Sequence, residues 1–291
     1  MDSQILENPK ACTTLPTLPG VAIQILDLCQ REEPDLPKMA QVIGQDPALS
    51  VRLLKIVNSP YFAVPRQVAK LDHAVALLGV DAVRTLALTF SIVKSLRRDS
   101  TEGADLSRFW RRSPISGVAA RQLGQWATLP DPEALFLAAL LQDIGTLALR
   151  TAFSRKYPPL LARSQDDHRA LIALEQAELG TDHAEVGGWL AQLWQLPGIY
   201  EISLRGSHDP DQASVYGDLL TFVKTVAVSG LLAEIWVIED PTAAMPHASS
   251  NAEQMLQMEA EDVQSAVTEI SQALPGTSTL FEIDLGDTQA Q

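Results

Sequence analysis

The stretch FLAALLQDIGTLAL, residues 136–149, is apolar around almost its whole circumference when it is drawn as a helix. A helix that is hydrophobic on every side is normally buried at the centre of a protein. Two polar residues, Gln142 and Asp143, lie in its middle. A buried carboxylate is unfavourable unless it is paired with a cation or bound to a metal. Asp143 is therefore either a structural residue with a partner or part of a site, and the residues alone favour the structural interpretation.

The rest of the chain also has the pattern of helices. Apolar residues recur at helical spacing, and there is no strand–helix alternation and no glycine-rich phosphate loop. The apolar stretch 71–96 predicts two helices that are broken near Gly79. Residues 240–250, with two prolines, predict a linker, and residues 281–285 alternate like a short strand. We therefore expect an all-α fold, in which a chain that is 46% hydrophobic can bury a large core.

The charge distribution limits the classes of partner. The chain has 36 acidic and 22 basic residues, a formal charge of −14, and residues 225–291 hold 11 acidic residues with no Lys or Arg. Nucleic acids and anionic membranes need a basic face, so we expect neither as a partner. The charged residues Asp81, Arg84 and Lys94 inside the apolar stretch 77–96 argue against a membrane span there. Two cysteines and a polar N-terminus favour a reduced, cytoplasmic location.

Two histidine-containing segments are candidates for chemistry. Asp182, His183 and Glu185 stand at a helix start, where they form either a set of metal ligands or a capping box. The capping interpretation is favoured on the residues alone. His208 and Asp209 form the only literal His-Asp doublet, but they lie in a segment rich in turn residues, which favours an ordinary turn.

Two helical patterns have both a structural and a binding interpretation. Residues 36–57 have the spacing of a helix-turn-helix, but the second helix offers only Arg52 and Lys55 as basic groups, so a structural hairpin is favoured over a DNA-binding regulator. Residues 252–274 carry an apolar stripe that either packs on the bundle or forms a partner surface: Met255, Val263, Val267 and Ile270.

Several motifs in a fixed order resemble the HDOD domain, an HD-related output domain of bacterial signalling proteins. The N-terminal part contains LPTLPGV at 15–21, DPALSVRLLKIVNS at 46–59 and AVALLGV at 74–80. The second half contains FWRRS at 109–113, the central stretch 136–149, and the two histidine segments described above. The resemblance covers about residues 15–238. It implies an N-terminal helical subdomain packed on a degenerate bundle like that of the HD phosphohydrolases, and regulatory rather than catalytic members.

The resemblance also assigns a degenerate pocket. HD hydrolases have an early His, a His-Asp doublet, further histidines and a late Asp. Here Arg112 stands at the early His and Gln142-Asp143 at the doublet, whereas His183 and His208 match family histidines. The late Asp falls near 224–227, where there is no carboxylate. The pocket set is Arg112, Gln142, Asp143, Asp182, His183, Glu185, His208 and Asp209.

These departures lead to a specific hypothesis. Arg112 and Asp143 would share one metal in an HD enzyme, and the guanidinium here replaces that metal in a structural ion pair. We therefore expect no catalytic residues, metal or cofactor. We expect a non-catalytic bacterial regulatory module that binds other signalling proteins, such as two-component or cyclic-dinucleotide pathway components. A metal-dependent phosphohydrolase and a DNA-binding regulator are the alternatives.

The expected domain organisation follows from the resemblance and from a polar break at residues 99–105. It consists of an N-terminal segment (1–14), an N-terminal helical subdomain (15–98), an HD-like helical subdomain (105–238) and an acidic C-terminal extension with one amphipathic helix (239–291). The oligomeric state is left open by the sequence.

Overall fold

The computed structural model describes residues 20–29, 33–58, 64, 66–99, 107–164, 167–210, 217–238, 241–281 and 283–285. Within these ranges the secondary structure consists of α-helices and two short 3-10 helices, without strands. The predicted all-α fold is confirmed. The chain divides into two compact units, of which the smaller comprises Thr17–Ala104 with Ser278–Ile283 and the larger contains Asp105–Thr277.

The smaller unit is built around one long helix, α4. Its helices are α1 (Gly20–Cys29), α2 (Leu36–Ile43), α3 (Pro47–Val57) and α4 (Leu71–Asp99), and the first three each pack on α4. Asp35 and Asp46 cap α2 and α3 with their side chains. Gly79 has a φ of 78° inside α4 and kinks it, which confirms the predicted break.

The larger unit is a helical bundle with α6 and α7 at its centre. Nine of the ten residues of α6 and six of the nine residues of α7 are buried, as the sequence of the central stretch predicts. Helix α5 packs on α6 and α12, and helix α10 packs on α7 and α11. The helices of this bundle are α5 (Ser107–Trp126), α6 (Pro132–Leu141), α7 (Ile144–Ala152), α8 (Tyr157–Ser164), α9 (His168–Leu179), α10 (His183–Leu193), α11 (Gly198–Gly206) and α12 (Leu220–Ala233).

The C-terminal region differs from the prediction. The expected linker 240–250 lies within helix α13 (Pro241–Leu256), which packs on α12. Helix α14 (Ala260–Phe281) continues through Pro275, and residues 283–285 form no strand. A proline is tolerated in the first turn of a helix, which explains why Pro241 begins α13 instead of preventing it.

The predicted partner surface on the C-terminal helix is wrong. Val263, Val267 and Ile270 are no more than 1% exposed, and Met255, on the preceding helix, is partly buried. The stripe therefore belongs to the core, which was the competing interpretation of the same pattern.

Three helical segments have the length and composition of a membrane span: Leu71–Ser91, Pro132–Ala152 and Gly217–Trp236. In the second segment 94% of the most apolar window is buried inside the protein, so packing in the core accounts for its composition. The predicted cytoplasmic location stays a prediction.

Candidate functional site

Asp143 lies at the junction of α6 and α7 in the centre of the larger unit. It occupies the cap position of α7, yet its side chain makes no capping hydrogen bond, so both carboxylate oxygens face other partners. Gly145, in the next turn, allows α7 to approach α10 closely. A Cβ atom at Gly145 would lie 2.0 Å from the carbonyl oxygen of His183. This close approach brings the His183 backbone near the start of α7.

One oxygen of Asp143 faces an arginine. The Nη1 of Arg112, on α5, donates to Oδ2 of Asp143, and the two side chains are only 5% and 4% exposed. The predicted contact between Arg112 and Asp143 is therefore present. The Nη2 of Arg112 lies 3.9 Å from a carboxylate oxygen of Glu234, which gives the guanidinium a second, weaker anionic neighbour. We call this side of Asp143 the arginine side.

Gln142 and Gly230 complete the arginine side. A Cβ atom at Gly230 would lie 2.7 Å from the Oε1 of Gln142 and 2.8 Å from the Nη2 of Arg112. On α12, Gly230 therefore faces Arg112 and Gln142, about one helical turn after residues 224–227. Among the described residues, the Nε of Arg112 and both amide atoms of Gln142 find no hydrogen-bond partner. The absence of a side chain at 230 provides the space that Arg112 and Gln142 occupy.

The other oxygen of Asp143 faces three histidines. Its Oδ1 lies 3.1 Å from the Nε2 of His208, 3.8 Å from the Nε2 of His183 and 3.9 Å from the Nδ1 of His168. The Nε2 atoms of His183 and His208 are 3.0 Å apart, and the rings of His168 and His208 are stacked. We call this side the histidine side. One ligand atom from each of the four residues lies within 4.8 Å of the others.

Glu175 fixes the orientation of His183. Its carboxylate is fully buried and accepts hydrogen bonds from the backbone N–H of His183 at 2.9 Å, from the Nδ1 of His183 at 2.7 Å, and from the hydroxyl of Tyr157. A carboxylate that holds one ring nitrogen of a histidine directs the other nitrogen toward a site. The Nε2 of His183 is consequently directed toward Asp143.

The buried charges change the protonation equilibria of the cluster. Burial would raise the pKa of Asp143, but the charge of Arg112, with His168 and His208, holds that pKa well below its ordinary value. Burial and the neighbouring Arg112 lower the pKa of His168. Burial would also lower the pKa of His183, but Glu175 outweighs it and raises that pKa. Asp143 is thus held as a carboxylate at neutral pH, next to a permanent cation on one side only.

A cavity of about 170 Å³ opens beside the cluster. Asp143, Arg112 and His168 lie in its wall, opposite the apolar side chains of Phe109 and Leu171. The cavity gives a small ligand or ion a path to the polar groups on both sides of Asp143.

The two sides differ in their fitness for a metal ion. The histidine side offers three imidazoles and a carboxylate, which are the donors of transition-metal sites. The arginine side offers a guanidinium that has no lone pair, a single amide and a glycine, so its residues do not fit a metal. The expectation of no metal, made for the whole pocket, stays a prediction.

The structure gives three predicted pocket residues other roles. Asp182 caps α10 by accepting from the backbone N–H of Glu185 at 2.8 Å. Glu185 is exposed and pairs with Arg205 on the surface. Asp209 is exposed. These residues are corrected from pocket residues to capping and surface residues, because a helix start points its cap side chain along the backbone rather than into the bundle.

His168, Glu175 and Tyr157 were missed by the sequence analysis. They lie on α8 and α9, which contain none of the motifs used there. The available signal was the spacing of His168 and Glu175, because residues seven apart share one face of a helix.

Residues 36–57 form a helical hairpin of α2 and α3, as the structural interpretation proposed. The guanidinium carbon of Arg52 lies 5.4 Å from the ring centre of Phe90, on α4 of the same unit. One of the two basic groups of the supposed recognition helix is therefore in contact with the unit's own core.

Comparison with protein families matches residues 15–210 to the HDOD domain. The chain belongs to the HDOD domain family. A protein from Treponema pallidum (strain Nichols) is 24% identical over 259 residues, which are 87% of this chain and 49% of that protein. The chain spans half or less of the curated relatives that it matches.

Solved structures that are similar to this HDOD chain include the following two. A candidate phosphohydrolase from Shewanella amazonensis SB2B has a TM-score of 0.73 at 22% identity, with 94% of this chain and 96% of that chain covered. At that identity the likeness shows the fold alone. The MmoQ response regulator from Methylococcus capsulatus (strain Bath) is 30% identical, with a TM-score of 0.50 and coverage of 88% and 98%.

Proposed function

We propose that this HDOD chain is a non-catalytic signalling module of the bacterial cytoplasm that works by binding other signalling proteins. The observation that carries the proposal is the buried ion pair between Arg112 and Asp143. Membership of the HDOD family and the 30% identity to a response regulator fit a signalling module.

The ion pair argues against hydrolysis because of its position. The resemblance implies that, in HD hydrolases, the two residues at the positions of Arg112 and Asp143 bind the same metal ion. Arg112 is permanently charged and has no lone pair, so it repels a cation and cannot ligate one. Gly230 leaves the space that Gln142 and Arg112 occupy, and neither Gln142 nor Gly230 supplies a carboxylate or an imidazole. The arginine side thus lacks the donor set that would activate water.

The charge of the chain favours a basic partner. A net charge of −14, concentrated in the last quarter of the sequence, accelerates encounter with a positively charged protein surface. Association with such a partner should slow as salt is added, and a rate that does not change with salt would argue against this role of the acidic region.

Hydrolysis of phosphoesters tests the proposal. The wild-type protein, supplied with Zn²⁺, Mn²⁺ or Fe²⁺, should hydrolyse mononucleotides, cyclic dinucleotides and a chromogenic phosphate ester no faster than its Asp143→Asn variant. The variant controls for contaminating phosphatases, since it removes the carboxylate that both sides of the site share. A metal-dependent rate that disappears in Asp143→Asn would overturn the proposal in favour of a phosphohydrolase.

The phosphohydrolase is retained as a second candidate because of one observation. The ligand atoms of Asp143, His168, His183 and His208 converge within 4.8 Å beside a cavity that is open to solvent. The same hydrolysis assay discriminates the two functions.

A further inference from the structure

We propose that the histidine side of Asp143 is a binding site for one divalent transition-metal ion of the Zn²⁺ class, with Asp143, His168, His183 and His208 as ligands and Glu175 as the residue that positions His183. The proposal goes beyond the signalling function, which requires no metal. It concerns binding and structure, and it assigns no reaction to the ion.

The spacing of the donor atoms supports one shared ion. Ligands of a tetrahedral ion at about 2.0–2.1 Å stand roughly 3.3 Å from one another. The observed separations are 3.0 Å between the Nε2 atoms of His183 and His208, 3.1 Å from His208 to Oδ1 of Asp143, and 3.8 Å from His183 to the same oxygen. These distances bracket the expected value. His168 completes the set from the side of the cavity.

Hydrogen bonding alone leaves this cluster unsatisfied. Glu175 accepts from the Nδ1 of His183, so that nitrogen carries a proton and the Nε2 of a neutral His183 presents a lone pair. The Nε2 of His208 faces this lone pair and also an oxygen of Asp143, although it has at most one proton to donate. The buried Nδ1 of His168 has no hydrogen-bond partner among the described residues. A metal cation at the centre would accept the lone pairs of these three ring nitrogens and of the Asp143 oxygen.

The proposed positioning residue is Glu175. It lies on the opposite side of His183 from the cluster, and its hydrogen bonds join it to His183 and Tyr157. Carboxylates in this relation to a ligating histidine fix its tautomer and its ring orientation. The hydroxyl of Tyr157 in turn fixes the carboxylate, so the arrangement is built from two layers of buried side chains.

Arg112 limits the site to a single ion. Its guanidinium occupies the opposite oxygen of Asp143, so that oxygen is not available to bridge two metals. The expected stoichiometry is therefore one ion per chain.

The first experiment measures metal binding by the intact chain. Protein stripped of metal is titrated with Zn²⁺ against a chelating dye and, separately, with Co²⁺ while visible absorption is recorded. We expect one equivalent of each, with the intense Co²⁺ spectrum of a tetrahedral site. His208→Ala and His168→Ala should each lose this binding, whereas His73→Ala, an exposed histidine of the smaller unit, should keep it. Two variants are used so that a folding failure of one does not decide the outcome.

Three results would overturn the proposal. These are no binding by the wild type, two equivalents per chain, or equal binding by the wild type and both folded site variants.

The second experiment tests the positioning role. Glu175→Gln should weaken Zn²⁺ binding by roughly 10- to 100-fold while the stoichiometry stays at one, which is the usual effect of losing such a carboxylate. Glu178→Gln is the matched control, because Glu178 lies on the same helix but pairs with Arg163 on the surface. Equal affinities of Glu175→Gln and Glu178→Gln would show that Glu175 does not position a ligand.

The outcomes separate this proposal from the proposed function. Absence of metal binding would overturn the metal site and leave the signalling function intact. Metal binding without phosphoester hydrolysis supports both. Hydrolysis that depends on the bound ion would support the metal site and overturn the non-catalytic function.

Discussion

The two oxygens of the Asp143 carboxylate belong to one side chain, yet their surroundings differ in chemistry. On the arginine side, a permanent cation contacts Oδ2, and a glycine provides the space for it. On the histidine side, three imidazoles face Oδ1, and Glu175 holds one of them in place. A single carboxylate can thus be paired with a cation at one oxygen while three imidazoles surround the other oxygen.

The largest effect is expected from Arg112→Ala. Removing the guanidinium leaves the Asp143 carboxylate buried without its cation, which typically lowers the free energy of unfolding by about 3–5 kcal/mol. Urea denaturation of the variant measures this loss. Arg163→Ala serves as the control, because it breaks an exposed pair with Glu178 and should change stability by less than about 1 kcal/mol.

The penalty of Arg112→Ala should depend on pH in a defined direction. The pKa of Asp143 lies below its ordinary value in the folded protein, so the pair stabilises the fold above that value and loses its contribution as the pH falls. The difference between wild type and variant should shrink on acidification. Equal stability of the two proteins at neutral pH would contradict the role assigned to the ion pair.

On the histidine side, Tyr157→Phe removes one hydrogen bond to the Glu175 carboxylate. Because that acceptor is charged and fully buried, we expect a loss of about 1.5–3 kcal/mol in the free energy of unfolding. Thermal and urea denaturation measure the loss. An unchanged stability would mean that the two hydrogen bonds from His183 are sufficient to hold Glu175.

Gly230→Ala tests the space on the arginine side. The new methyl group would lie within 3 Å of Gln142 and Arg112, so we expect destabilisation by roughly 1–3 kcal/mol. Gly276→Ala is the matched control, since no atom lies within 4 Å of a Cβ there and alanine favours the helix by up to about 1 kcal/mol. The two substitutions should shift the urea midpoint in opposite directions, and a shift in the same direction would contradict the packing argument.

The smallest effect concerns Glu133, a buried carboxylate that provides a reference for Asp143. Its nearest cation, Arg121, is 3.8 Å away, and burial raises its pKa. The folded protein then binds this proton more tightly than the unfolded chain does, so stability falls as the pH rises above the ordinary value of 4.5. Glu133→Gln should be more stable than wild type by roughly 1 kcal/mol at pH 7.5 and lose that advantage near pH 4.5. Melting temperatures at the two pH values decide the sign.

The sequence predicted much of the fold because the decisive signals were local. The apolar circumference of residues 136–149 predicted the central pair of helices, and Asp182 predicted a helix start that the structure confirms. The C-terminal stripe was ambiguous, since an apolar helix face looks the same whether it meets the core or a partner. Pro246 was part of the predicted linker, but it lies inside a helix that packs on α12.

The site was predicted where motifs mark it and missed where only tertiary contact defines it. Arg112, Asp143, His183 and His208 were identified through the resemblance, and the structure brings all four together. His168 and Glu175 contribute through helix α9, whose sequence has no distinguishing motif. Their role depends on the approach of α9 to α10, a contact that sequence spacing alone does not specify.

The close packing at Gly230 limits which single substitutions the arginine side can accept. An acidic side chain introduced at 230 alone would collide with Arg112 and Gln142, and a histidine introduced at 112 alone would leave Asp143 without its permanent cation. Each of these single substitutions is therefore expected to destabilise the protein. The packing around Gly230 therefore makes residues 112 and 230 interdependent, because neither can be exchanged alone without a loss of stability.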